Sequence, residues 1–93
     1  MKITAQITQL LDGSKNTKAF ADVVLDDAFV IHGVGVVIKD DKRFVSMPKK
    51  EWKNKDGEDR RRDICHPIVS ENRIAIQEAV FAAYEQKISE IED

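Results

Sequence analysis

Apolar and polar side chains alternate with a period of two at the start of the chain. Ile3, Ala5 and Ile7 are interleaved with Lys2, Thr4, Gln6 and Thr8, which predicts a strand with one buried face. Asp12-Gly13-Ser14-Lys15-Asn16 is a turn cluster. The alternation resumes from Lys18 to Leu25, with Ala19, Ala21, Val23 and Leu25 on one face. Asp26-Asp27 is a short connection, so strands two and three are expected to form a hairpin. The third strand, Ala28 to Ile38, sets Val30, His32, Val34, Val36 and Ile38 on one face and Phe29, Ile31 and Val37 on the other. Apolar residues on both faces predict a central strand covered on both sides. Gly33 and Gly35 within it mark a bulge or a close approach of backbone. Lys39-Asp40-Asp41-Lys42 is a polar turn, Arg43 to Met47 a short fourth strand, and Pro48 stops it. A short fifth strand is expected at Arg62-Asp63-Ile64-Cys65.

Past Pro67 the period changes. Ile74, Gln77, Phe81, Tyr84, Ile88 and Ile91 recur at intervals of three and four, and Ile76, Val80 and Ala83 widen the stripe. Ser70 is the expected N-cap, with Glu71 in the first turn, where the helix dipole favours an anion. The element order predicts an α+β fold: a four- to five-stranded antiparallel sheet with one long C-terminal helix on a face. It forms one domain over 1–93, with antiparallel strands in 1–47, a basic loop in 48–63 and the helix in 70–91.

Composition narrows the class. Hydrophobic residues make up 42% of the 93 and charged residues 34%, as in a soluble globular protein. A chain this short buries only about 60–65% of its extended surface, so self-association would add stability. The lone cysteine, Cys65, rules out an intramolecular disulfide and fits a reducing compartment. The first residues carry no continuous apolar run of a secretory leader, and no segment reaches the roughly 20 apolar residues of a membrane span. The expectation is a cytoplasmic protein with no membrane partner.

The formal net charge is −2, but it is unevenly spread. Residues 39–63 hold ten basic and seven acidic side chains, whereas residues 64–93 hold two basic and six acidic. Within Lys49 to Asp63 seven cations crowd around one tryptophan. Lys49, Lys50, Lys53, Lys55, Arg60, Arg61 and Arg62 are suited to neutralising phosphates with release of counterions. Trp52 is suited to stacking on an unpaired base, and Arg73 in the first helical turn would extend the patch. Against this stands a solvated loop whose Glu51, Asp56, Glu58 and Asp59 pair with neighbouring cations, with Trp52 folded back on the sheet. Asp56-Gly57 is a turn signal that would let the loop fold over as a ribbon.

Three other motifs carry little chemistry. Cys65-His66 has the residue types of a nucleophile and base, but successive side chains on a strand point to opposite faces. One Cys and two His without ligand spacing fall short of a zinc set. Gly33-Val34-Gly35 opens like a dinucleotide fingerprint, yet lacks the third glycine and the following helix. Asp26 and Asp27 read as turn residues rather than an acid pair. No catalytic constellation emerges, so no enzyme activity, no small-molecule substrate, no metal and no cofactor are expected.

Several stretches together resemble a known family. They are Met1-Lys2-Ile3-Thr4, then Ala21-Asp22-Val23-Val24-Leu25-Asp26-Asp27-Ala28-Phe29-Val30-Ile31-His32, then Phe44-Val45-Ser46-Met47-Pro48. Arg62-Asp63-Ile64-Cys65-His66-Pro67-Ile68 follows, then Arg73, Ile76-Gln77-Glu78-Ala79-Val80 and Tyr84. In order and nearly end to end, these resemble the SpoVG family, the stage V sporulation protein G or septation proteins. The resemblance implies a small α+β protein that forms a homodimer, in part by extending its sheet across two chains. It implies site-preferring binding to DNA, in some members RNA, with regulatory effects that include septation during sporulation. It implies no enzyme activity. It assigns nucleic-acid contacts to the positions of Lys49, Lys50, Lys53, Arg60, Arg61, Arg62 and Arg73. Glu51-Trp52-Lys53-Asn54-Lys55 departs from the family pattern, and so does Gly33-Val34-Gly35.

The leading expectation is a dimeric nucleic-acid-binding regulator with about three phosphate contacts per chain and a salt slope near −5 on duplex DNA. The alternative is a protein–protein adaptor whose basic loop docks an acidic surface.

Overall fold

The computed structural model describes residues 1–11 and 16–92. The turn cluster expected at 12–16 falls, apart from Asn16, outside the described residues. Strands β1 (Ile3–Leu10), β2 (Thr17–Leu25), β3 (Phe29–Lys39) and β4 (Lys42–Ser46) form an antiparallel sheet in sequence order. Strands β5 (Lys49–Lys53) and β6 (Asp59–Asp63) pair only with each other, as a two-stranded ribbon. The chain ends in one long helix, α1 (Ser70–Glu92). The α+β class is as expected. The fifth strand differs: it starts at Asp59, pairs with a strand not expected from the sequence, and lies in a second sheet.

Two aspartate pairs fold the meander. Asp26 and Asp27 have φ of 53° and 52°, and Asp40 and Asp41 have 53° and 66°. Two successive left-handed residues make the tight hairpin turns whose twist matches that of the flanking strands. Aspartate tolerates this region better than most side chains. The Lys2 backbone N–H donates to Asp26 Oδ1 at 2.6 Å, and Lys2 Nζ lies 2.9 Å from Asp27 Oδ2. Both carboxylates are thus spent on fixing the β2–β3 turn to the start of β1.

Bulges rephase the strands. Between β1 and β2 the register shifts at Ile7/Gln9, so Leu10 returns to the core face that Ile3, Ala5 and Ile7 occupy. Between β2 and β3 it shifts at Ala21/Val23, where β3 carries the extra residue. Gly33 sits in that bulge with φ of +76°. The two-fold alternation expected through all of β3 is therefore wrong at this point. Ile31 joins Val34, Val36 and Ile38 on the core face, while His32 turns outward and meets Asp22 at 3.0 Å.

The core lies between this sheet face and α1. Ala19, Ala21, Val23, Val34, Val36, Met47, Ile76 and Val80 are buried. The helix lies chiefly over β1, and Ile76 and Val80, one turn apart, share the buried cluster with Ala19, Ala21 and Val23 of β2. Ile74 is 53% exposed and Ile91 61%. The buried stripe is therefore centred on Ile76 and Val80, rotated from the expected series, which leaves Ile74 at its margin. The helix also begins one residue early: Val69 O accepts from both Asn72 N and Arg73 N at 3.1 Å. That puts Val69, not Ser70, at the cap. Arg43 ties β4 to the helix, with its guanidinium 4.7 Å from the Phe81 ring centre and 2.6 Å from Glu85 Oε1.

Among the described residues no layer covers the opposite sheet face. The expectation that β3 is covered on both sides fails here. Val30 is 47% exposed and Phe44 48%. Phe20 lies across from Gly35 in the register and leans over it, 3.8 Å from where a Cβ would stand. Among the described residues no helix is long and apolar enough to cross a membrane.

The two glycines make a paired prediction. A Cβ on Gly33 meets nothing closer than 3.8 Å, so any cost comes from backbone strain alone. Gly33→Ala should lower stability by about 1–2 kcal/mol. Gly35→Ala meets ordinary contacts at 3.5–3.8 Å, and restricting the unfolded chain offsets part of any loss. Its urea midpoint should stay close to that of the parent, and a larger loss at Gly35 than at Gly33 would contradict the bulge geometry.

Candidate nucleic-acid interface

Polar residues build the ribbon. Asn54 closes its turn: Oδ1 accepts from Asp56 N at 3.0 Å and Glu58 N at 2.9 Å. Asn54 N donates to Glu58 O and Gly57 N to Asn54 O, both at 3.0 Å. Gly57 takes φ of +77°, open only to glycine without strain. At the other end Ile64 N donates to Pro48 O at 2.9 Å, carrying the ladder to the buried Met47. The segment expected as a loop is thus a hairpin, closed by the Asp56-Gly57 turn signal.

Register then decides what each face presents. The pairs are Lys49↔Asp63, Lys50↔Arg62, Glu51↔Arg61, Trp52↔Arg60 and Lys53↔Asp59. Partners directly opposite share a face, and successive residues alternate. One face therefore carries Lys50, Trp52, Arg60 and Arg62 without a carboxylate. The other carries Lys49, Lys53 and Arg61 against Glu51, Asp59 and Asp63. The first is cationic and aromatic, and the second sums to zero.

The expected site residues divide accordingly. Lys50, Trp52, Arg60 and Arg62 come together. Lys53 and Arg61 lie on the reverse face, opposite carboxylates. Lys55 is in the turn. Lys49 is committed to the base of the ribbon, with Nζ 2.9 Å from Asp63 Oδ1 and 3.2 Å from Ser46 Oγ. That hydrogen bond holds the Asp63 carboxyl below its ordinary range, with the charges of Lys49, His66 and Arg73 adding and desolvation opposing. Arg73 lies on α1 rather than on the ribbon strands and donates to Pro67 O at 3.4 Å.

Among the described residues only Lys49 and Arg60 of the seven cations make an ion pair. Arg60 reaches Glu58 at 3.2 Å, both side chains being more than half exposed, and an exposed pair of this kind contributes about 0–1 kcal/mol. Among the described residues Lys50, Lys53, Lys55, Arg61 and Arg62 make no ion pair. Trp52 is 41% exposed and has not folded back onto the sheet. Two open clefts flank it. One, about 530 Å³, runs along Lys50, Trp52, Arg62, Asp63 and Ile64, so the reverse-face carboxylate of Asp63 reaches its rim. The second, about 550 Å³, is bordered by Glu51, Lys53 and Arg60 among others.

The ribbon stands clear of the body. Apart from the Lys49–Ser46 contact at its base, among the described residues it packs on neither the four-stranded sheet nor α1. The radius of gyration is 14.3 Å, against about 12 Å for a compact chain of this length. Sequence reading missed Ile64, 68% exposed beside the cationic face, and the assignment of cations to faces. The only available signal was the Asp56-Gly57 turn, which fixes which residues stand opposite one another.

Comparison with known proteins identifies the family. The SpoVG family model matches residues 1–86. The chain is 44% identical over 88 residues to "Putative septation protein SpoVG" of Desulforudis audaxviator (strain MP104C), covering 94% of each. It is 44% identical over 86 residues to the protein of that name in Macrococcus caseolyticus (strain JCSC5402), covering 92% of this chain and 71% of the relative. With that of Alkaliphilus oremlandii (strain OhILAs) it shares 36% over 93 residues, 100% and 95% of the two chains. The chain belongs to the SpoVG family.

Proposed function

We propose that this protein is a nucleic-acid-binding regulator that acts as a homodimer in septation or sporulation, and that the ribbon is its contact surface. The observation that carries the reading is the segregation of Lys50, Arg60 and Arg62, with Trp52, onto a carboxylate-free face of a projecting hairpin. Three cations per chain correspond to a slope of log affinity on log salt of about −3, and about −5 for two chains on duplex DNA. Arg60 and Arg62 present forked donors suited to guanine edges, whereas Arg61 points away from them. The relatives' names supply the link to septation. The acidic helical third of the chain opposes a polyanion, so binding would be confined to the ribbon side.

The outer sheet face supports the homodimer. Val30 and Phe44 are half exposed there, and Phe20, Val24 and Val37 share that side. Burying such a surface against a second chain, with a sheet edge extended across the pair, compensates for the small core of a short chain. Two chains would present two ribbons and raise the effective affinity of each.

A protein–protein adaptor is the second reading. It draws on Ile68, 90% exposed, with Val69 and Ile74 near it at the start of α1. Retention of a protein partner independent of salt, from preparations free of 260 nm absorbance, favours it.

Charge-matched variants test the contact surface. Lys50→Gln/Arg62→Gln and Lys53→Gln/Arg61→Gln each remove two positive charges from opposite ribbon faces. The first should flatten the salt slope by about 2 per chain, and the second should change it by less than half as much. Equal effects on filter binding would mean that only total charge matters. For the dimer, sedimentation velocity should give twice the single-chain mass for the parent. Val30→Asp/Phe44→Asp should give the monomer, and an unchanged dimer would place the interface elsewhere.

A further inference from the structure

Deepening the proposed nucleic-acid reading and resting on it, we infer that the Lys50–Trp52–Arg60–Arg62 face selects single-stranded nucleic acid, by stacking an unpaired base on the Trp52 indole while the flanking cations hold its backbone. Trp52 has no structural duty that accounts for its exposure. It lies outside the core and makes no hydrogen bond or cation–π contact among the described residues. It sits within the ribbon rather than at its tip, across from Arg60 and on the same face as Lys50 and Arg62. An indole there has positive charge before it along its own strand and across from it on the other. Residues two apart on a strand are about 7 Å separated, so Lys50 and Trp52 stand within the reach of one nucleotide of an extended strand.

Duplex DNA offers this face only half of what it can use. Its phosphates meet the cations, but its base faces are already stacked on each other. Exposing one costs a few kcal/mol of unstacking per step. A single strand gives phosphates and a free base face together, and every base has such a face, so the selection is for strand state more than for sequence. A cleft of about 530 Å³, walled by Lys50, Trp52, Arg62, Asp63 and Ile64, is open to admit a base beside the indole. The competing mode, a two-stranded ribbon laid in the major groove, needs the arginines but not the indole. The two modes therefore differ in what removal of Trp52 does.

The probes are a fluorescein-labelled 20-nucleotide DNA strand of mixed sequence, the RNA of the same sequence, and the corresponding DNA duplex, measured by anisotropy against the full chain. The parent should bind the single strands more tightly than the duplex. Trp52→Leu should weaken single-strand binding by about 5- to 150-fold, the range for losing one stacked base. It should leave duplex binding within about twofold, and Trp52→Phe should recover part of the loss. Indole fluorescence should be quenched by the strands and not by the duplex. Unequal binding of the DNA and RNA strands identifies the source of the unpaired base, and stacking predicts the Trp52 loss on whichever binds. Trp52→Leu leaves the core intact, and an unchanged far-ultraviolet circular dichroism spectrum confirms it. Duplex preference, or an equal loss on strand and duplex, overturns the stacking inference. If Lys50→Gln/Arg62→Gln still lowers duplex affinity in that case, the parent reading stands. Failure of the parent protein to bind any of the three probes overturns both.

Discussion

The antiparallel register of β5 and β6 is the constraint on which the rest of this account depends. Seven cations and five carboxylates lie between Lys49 and Asp63, and composition alone would make the segment nearly self-neutralising. Pairing Lys49 with Asp63 and Lys53 with Asp59 puts every carboxylate of the two strands on one face, because side chains alternate with a period of two. A slip of one residue would mix the signs on both faces. The field outside the ribbon is thus a consequence of backbone hydrogen bonds, and those depend on Asn54, Gly57 and the Pro48–Ile64 contact at the base.

This arrangement carries a cost. Lys50 stands directly opposite Arg62, and like charges facing each other across a ladder are destabilising. An isolated two-stranded hairpin is only marginally stable, and apart from its base this one takes no packing from the sheet or from α1 among the described residues. Its compensation lies on the reverse face, where three positions set opposite charges across from each other, and at the base. There Lys49 bridges Asp63 and Ser46, while Met47 anchors the preceding residue in the core. The Lys49 ammonium thus contributes to order rather than to contact, though its type and position read as a phosphate ligand. On the proposed function, folding and recognition would use different cations of the same short segment.

How much was legible in the sequence follows from what hydrophobic patterning encodes. β1 and β2 were legible because Ile3, Ala5, Ile7, Ala19, Ala21 and Val23 alternate with polar neighbours and face the core. The hairpins were legible from paired aspartates, and the helix from its three-and-four spacing. The bulge at Gly33 was not resolved, since an extra residue in a strand changes the phase without changing the composition. The expected faces of β3 therefore inverted across it. Apolar residues on both faces of β3 were read as cover on both sides, whereas the described residues cover only one. The ribbon was obscured for another reason: Lys49-Lys50-Glu51-Trp52-Lys53 has no hydrophobic period to reveal a strand. Its cations were all visible, and only three-dimensional pairing shows that Lys50, Arg60 and Arg62 share one face while Lys53 and Arg61 lie on the other.

The most direct measurement is side-chain nuclear magnetic resonance of the full protein during titration with a short oligonucleotide. Arg60 and Arg62 Nε–H and the Trp52 indole N–H should shift together at low ionic strength, with Arg61 Nε–H little affected. Shifts of equal size at all three arginines, or shifts led by Arg61, would show that register does not sort the charge as described.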